Sequence, residues 1–336
     1  MTAIQSLIGQ EFAYAHGRSG VLQQLLLTQS DLDRLLGASG GKEVEQILIE
    51  LKMTSIIDQG IREGNDVLNA VGAWIRKEVE QMTPLSRQPI FNILWMEGDA
   101  PFLAYLLKEK QGLTSPISTE PTSGISAYSS DALRALVRDD DEGTLPEHLV
   151  SFVKEMSEEQ DLDARTIDTR VSQYVANTSL ALARAANSKL IQRYVQHLID
   201  LQNIRTALRL ADEEDEVCLP YLLEGGTIDS NDLAGPLENT IKAIGRSNLG
   251  YFLNDCLQTI DDVNALERNL SEVIAVDIAD MWNVTLSIEP TFAFAAIAIA
   301  QLKLLRMILI GKRNGLSPQD IKKALPPFLS ATHYLS

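Results

Sequence analysis

The chain has 336 residues, 46 of them acidic against 29 basic, for a net charge of −17 with its four histidines neutral. A surface so negative repels phosphate backbones and excludes nucleic acid as a main partner, while the length calls for two or three subdomains rather than one core. Two cysteines, Cys218 and Cys256, exclude a disulfide framework and fit a reducing compartment. The scattered histidines, His16, His148, His197 and His333, exclude closely spaced zinc motifs.

Along the chain, Met1 to Phe12 lacks the basic flank and apolar run of a signal peptide, so no targeting segment is expected. From there apolar residues recur at steps of three and four, as in Leu22, Leu25 and Leu26, then Leu198, Leu201, Ile204 and Leu208. This periodicity, without alternating runs, predicts helix nearly everywhere. Gly37, Gly40, Gly41, Pro84, Gly98, Pro146, Pro220, Gly225, Gly226, Pro290, Gly311 and Gly315 punctuate roughly fifteen helices of ordinary size. Gly112 to Ser130 is dense in Ser, Thr, Pro and Gly and reads as a loop. A second break follows the acidic run Asp212 to Glu216. The two breaks divide the chain into three helical domains, 1–115, 116–222 and 223–336.

These pieces carry a shared motif. Ser30-Asp31-Leu32, Ser130-Asp131-Ala132-Leu133 and Ser230-Asn231-Asp232-Leu233 stand one hundred residues apart. Each offers a side-chain oxygen where a helix N-terminus needs an acceptor for a free N–H. Further on, each piece has another apolar helix, at Gln88 to Met96, His197 to Leu210 and Ile299 to Ile310.

Catalytic patterns fail on inspection. Gly40-Gly41-Lys42 resembles the end of a phosphate loop, but Leu36 replaces the first glycine and Glu43 the magnesium-binding hydroxyl, so a helix-to-helix turn is expected. Asp139 to Glu142 and Asp261-Asp262 lack the third acid that a magnesium-dependent helical enzyme requires, at Gly143, Thr144, Ala265 and Leu266. Cys218 beside an acidic run is a poor thiolate, Cys256 lies in an apolar stretch, and no nucleophile elbow occurs. No cofactor is implied. Thr291 to Ile310 has the length of a membrane span, but Gln301, Lys303 and Arg306 make a buried helix of a soluble protein the better reading.

The closing stretch, Gln301 to Leu325, combines basic helix-end residues, Gly311 and Gly315 for a turn, and a start at Ser317-Pro318 with Asp320. Here Arg306-Met307-Ile308 and Gly311-Lys312-Arg313-Asn314-Gly315-Leu316 match the R-x-I and G-K-x-N-G-L pattern of a known family. Tyr194-Val195 with Ile199-Asp200-Leu201-Gln202-Asn203-Ile204 match its middle-repeat pattern, and Tyr14, Ala15 and Arg18 its opening helix. On these motifs the chain resembles the C subunit of A/V-type ATP synthases, the counterpart of the vacuolar ATPase d subunit. One departure is that the family usually has an acid where Ala300 or Gln301 stands.

The resemblance implies an all-α protein, three related domains forming a pseudo-threefold funnel, with no catalysis of its own. It implies a rotor component on the cytoplasmic face, a socket between central axle subunits of the D and F type and the membrane proteolipid ring. Candidate partner or motif residues are Asp200, Asn203, Arg306, Lys312, Arg313, Asn314 and Gly315. Arg306 is expected to pair with an acid inside its domain, and Lys312 and Arg313 either to face a partner at a rim or to cap helix ends. A generic helical-repeat adaptor and a magnesium-dependent helical enzyme are the alternative classes.

Overall fold

A computed structural model describes residues 11–58, 60–114, 125–159, 161–210, 218–234, 236–253 and 263–329. His333, Cys256, Asp212 to Glu216, Asp261-Asp262, most of Met1 to Phe12 and the middle of the Gly112 to Ser130 loop lie outside the described residues. Among those described there is no strand. The all-α expectation holds.

The first helices are α1 (Ala13–Leu22), α2 (Gln29–Gly37), α3 (Gly41–Glu50), α4 (Gly64–Gln81) and α5 (Asn92–Lys110). Next come α6 (Ser130–Asp139), α7 (Glu147–Glu158), α8 (Ala164–Ala185), α9 (Lys189–Leu210) and α10 (Ser230–Leu233). The remainder are α11 (Leu237–Arg246), α12 (Gly250–Leu253), α13 (Val263–Trp282), α14 (Glu289–Arg313) and α15 (Pro318–Ala324). Starts recur at the interval of the serine motifs: Gln29, Ser130 and Ser230; Gly64, Ala164 and Val263; Asn92, Lys189 and Glu289.

The caps fall slightly upstream of the residues the motif nominated. Thr28 caps α2 in a capping box with Asp31, which sits at the third helical position. Ser129 precedes α6 without a side-chain cap, and Asp229 caps α10 by accepting from Asn231 N at 2.9 Å. The reason is geometric: a cap needs extended backbone so that its oxygen reaches an amide two or three residues ahead. At the C-terminal end, Ser317 caps α15 by accepting from Asp320 N, with Pro318 in the first turn, as the sequence indicates.

The chain divides into two compact units. The first joins its two ends, Met1–Pro89 with Ile274–Ser336. Its core is α14, buried on nearly every side through Phe292, Phe294, Ile297, Leu305, Ile308 and Leu309. An apolar circumference of this kind marks a helix packed all round. It is the one helix among the described residues long and apolar enough to cross a bilayer, and 72% of its most apolar window is buried inside the protein. It packs against α1, α3, α4 and α15. The facing stripe of α4 is Val67, Leu68, Val71, Ile75 and Val79, at helical spacing. Burying each such side chain contributes about 1.5–3 kcal/mol. Glycines let the backbones approach. A Cβ at Gly64 would lie 2.7 Å from Leu309 Cδ2, and one at Gly41 2.6 Å from Arg313 Cγ.

The second unit, Ile90–Val273, is built around α5. Phe102, Leu103, Leu106 and Leu107 meet Leu133, Leu136 and Val137 of α6, Leu149 and Val153 of α7, and Ile167 and Val171 of α8. Tyr174 stacks on Phe152 with centroids 4.6 Å apart. The next long helix, α9, packs on α8, α10 and α11. So α5 and α9 pack on helices near them in the chain, whereas α14, apart from α15, packs on helices from the opposite end of the chain.

Glycines in open space and in contact should respond oppositely to a methyl group. Gly64→Ala is expected to cost about 1–3 kcal/mol by overpacking against Leu309. Gly17→Ala, on the open face of α1, should gain about 0.5–1 kcal/mol. Urea unfolding of the two variants checks both signs.

Candidate functional site

The glycine turn at Gly40-Gly41 is the N-terminus of α3, as the sequence suggests. The Glu43 carboxylate accepts from Ser39 Oγ at 2.6 Å and from Ser39 N at 2.7 Å. Those two hydrogen bonds, the hydroxyl's first, hold its pKa below the usual carboxylate value. The position that would serve phosphate is therefore filled by an anion. No group of three His, Cys, Asp or Glu side chains among the described residues could hold a metal ion. Cys218 is buried, and His148 Nδ1 lies 2.8 Å from Tyr174 Oη.

Polar chemistry is concentrated inside the long helices. Asp99, Asp200 and Gln301 follow one another at equal intervals in α5, α9 and α14, and all are buried. Asp99 Oδ2 accepts from Ala127 N at 2.7 Å. Asp200 accepts from Thr227 N at 2.9 Å, Ile228 N at 3.0 Å and Thr227 Oγ1 at 2.5 Å. Gln301 Oε1 accepts from Leu27 N at 2.8 Å while its Nε2 donates to Leu329 O at 2.7 Å. Ala127, Ile228 and Leu329 each lie 28 residues after the side chain that holds them. Leu27 and Ile228 immediately precede the cap of a motif helix, and Ala127 lies two residues before Ser129. A buried side chain thus satisfies the backbone at each of these three entry turns, where an unpaired N–H would cost about 1–3 kcal/mol.

The Asp200 site is enclosed most fully. Asn203, one turn on, accepts from Leu223 N at 2.6 Å and donates to Leu223 O at 2.8 Å, clasping one residue by both backbone groups. Gly225 adopts φ +101°, and a Cβ there would strike Leu180; one at Gly226 would strike the Asp200 carboxylate. Both glycines are required for the chain to pass this close. Burial pushes the Asp200 pKa up, against the pull of the Thr227 hydroxyl and the two amides. His197, also buried, places Nε2 2.7 Å from Asn248 Nδ2.

The C-terminal candidates lie along α14. Arg306 is half-buried and donates to Asn69 Oδ1 at 2.5 Å, so its partner is an amide of α4 and not the expected acid. Burial pulls its pKa below the ordinary arginine value. A neutral acceptor satisfies the N–H without requiring a second charge to be desolvated.

For Lys312 the geometry fits the helix-end cap, the second of its two expected roles. Its side chain is turned inward, only 7% of the residue is exposed, and Nζ donates to Leu36 O at 2.7 Å and Ala38 O at 2.6 Å. It caps the C-terminus of α2, whose final carbonyls have no helical partner and carry the negative end of the helix dipole. Arg313 pairs with Glu45 at 2.5 Å and approaches Glu63 at 3.8 Å, with about a third of its side chain exposed.

Asn314 and Gly315 form the helix stop. Gly315 has φ +73°, its N–H donates to Lys312 O at 3.3 Å, and Leu316 N donates to Gly311 O at 3.0 Å, the paired bonds of a Schellman motif. Gly311 lies within α14, where a Cβ would come 2.9 Å from Ile321 Cγ1; it serves packing, and the turn falls at Gly315.

In the described residues, then, preorganised polar groups join helix to helix, and the class is an all-helical protein whose inward chemistry is structural. The family model described as ATP synthase (C/AC39) subunit matches residues 15–324, and the chain belongs to that family. Comparison with curated proteins yields no match.

The Asp200 site makes a pH prediction. Because burial raises the folded pKa, the folded state holds its proton more tightly than the unfolded chain just above the ordinary Asp range. Stability should fall as pH rises through that window. Asp200→Asn should remove this fall while keeping an acceptor for the turn, and Asp200→Ala should cost about 2–4 kcal/mol at the low end of the window and less as pH rises. Thermal melts from about pH 4 upward compare the three proteins.

Proposed function

We propose that the chain is a non-catalytic central-stalk subunit of a V/A-type rotary ATPase, a socket coupling axle subunits of the D and F type to the membrane proteolipid ring. The observation that carries this reading is the match of nearly the whole chain to the ATP synthase (C/AC39) subunit family. The three domains 1–115, 116–222 and 223–336 are related units in this proposal, and their pseudo-threefold funnel is the socket. Support comes from helix starts that recur at a common interval and from Asp99, Asp200 and Gln301 holding three successive entry turns. Torque crosses such a socket through a broad, shape-complementary contact, placed on the cytoplasmic face as a peripheral subunit. Asp200, Asn203, Arg306 and Lys312 act by holding the socket's shape, and Arg313 stands nearest to a partner-facing role.

Affinity purification of the tagged chain from native membranes should bring down the axle and ring proteins. Recovery without them would reject the socket. The isolated chain should show no ATP turnover; activity that survives a further purification step would reject the non-catalytic reading. For Arg313, the single variant Arg313→Glu is compared with the pair Arg313→Glu and Glu45→Arg, which rebuilds the internal ion pair. Assembly weakened in both, more so at low salt, places Arg313 against a partner. Assembly restored by the pair makes the residue purely internal.

A further inference from the structure

The contacts of α5 and α9 are with helices near them in the chain, α5 with α6–α8 and α9 with α8, α10 and α11. Besides α15, which follows it, α14 packs on helices from the far end of the chain. α14 meets α1, α3 and α4 across sequence separations of 237 to 276 residues at every cross-linked polar pair. The side chains that bridge this boundary are Gln301 to Leu27, Arg306 to Asn69, Lys312 to Leu36 and Ala38, Arg313 to Glu45, and Thr291 Oγ1 at 3.4 Å from Ser19 Oγ. Within this unit only noncovalent contact holds α1–α4 to α14. Once parted, no short loop returns them to one another.

Gln301 sits midway along this boundary, between the Thr291 and Lys312 contacts. Its two equivalents are carboxylates that can only accept. A carboxamide accepts and donates, and here it takes the Leu27 N–H from one end of the chain and gives a hydrogen to Leu329 O at the other. The glutamine is thus the substitution that lets one side chain hold both ends together.

We propose that the boundary between α14 and α1–α4 is a latch built into the fold, closed by Gln301, along which the N-terminal helices separate as one cooperative piece while the α5–α8 core stays folded. The latch rests on contacts within one unit and goes beyond the socket reading. A socket with one separable seam can admit or release an inserted partner without unfolding.

Native-state hydrogen exchange on the full chain tests it. In Gln301→Ala, amides of α2, α3 and α4 should speed up together by about ten- to a hundred-fold, through the loss of its three buried hydrogen bonds, while those of α6–α8 stay unchanged. Asp99→Ala is the tethered control, whose acceleration should stay near Ala127 and α6. Should Gln301→Ala not fold, Gln301→Glu keeps the size and the acceptor for Leu27 N but loses the donations to Leu27 O and Leu329 O, and gives the same readout. Acceleration confined to Leu27 and its neighbours, or spread equally into α6–α8, overturns the latch. So does a wild-type protein whose α2–α4 and α6–α8 amides share one opening under graded denaturant. None of these outcomes depends on the membrane pull-down, so latch and socket can fail separately.

Discussion

A backbone N–H removed from water needs an acceptor, and in an all-helical chain that need is greatest where a loop turns inward to begin a new helix. No neighbouring strand can supply a carbonyl there. The described structure meets the need with a buried side chain from a long helix, Asp99 for Ala127, Asp200 for Thr227 and Ile228, Gln301 for Leu27. Helix placement follows from these bonds. They fix where each short helix starts, and the apolar faces behind them then fill the space. The glycine pair at 225–226 belongs to the same constraint, since a side chain on either residue would push the turn off its acceptor.

Charge is distributed by the same logic. The chain carries a large excess of acid, yet among the described residues the buried Asp99 and Asp200 accept hydrogen bonds, and the buried Lys312 meets carbonyls instead of a carboxylate. Carbonyls at a helix end suit an ammonium group because several partial charges replace its lost water without introducing a second ion. Arg313, further out, takes the carboxylate of Glu45, where water still screens the pair. The order along the end of α14 therefore runs from dipole to ion as exposure increases.

Much of this was legible in sequence, and the exceptions have physical causes. Helical periodicity, the breakers, the Ser317 cap and the failure of the glycine turn as a phosphate loop all depend on residues close in the chain, which local rules describe well. The cap of α2 shifted to Thr28 because several neighbouring residues could serve and only backbone geometry chooses among them. For Lys312 the sequence left a partner-facing rim and a helix-end cap both open, because nothing local reveals the carbonyls of α2 that receive it. Arg306 found Asn69 where an acid was expected because its partner lies on α4, far back in the chain. Asp99 was missed, although its equal spacing with Asp200 and Gln301 was open to view. The glutamine looked like a departure from an acidic pattern; the structure shows why an amide fits, since this position alone must donate as well as accept.

The packing of α14 on α1–α4 also sets a schedule for biosynthesis. A ribosome completes the apolar stripe of α4, Val67 to Val79, long before it reaches the helix that covers it. At ordinary elongation rates the wait is roughly ten to fifty seconds. Throughout that interval the nascent chain presents an uncovered greasy surface in a crowded cell, while α5–α8, whose partners emerge in sequence, can already condense. The chain's first-made helices are thus among its last to mature. Its quality in vivo depends on whatever shields them until the final helix arrives.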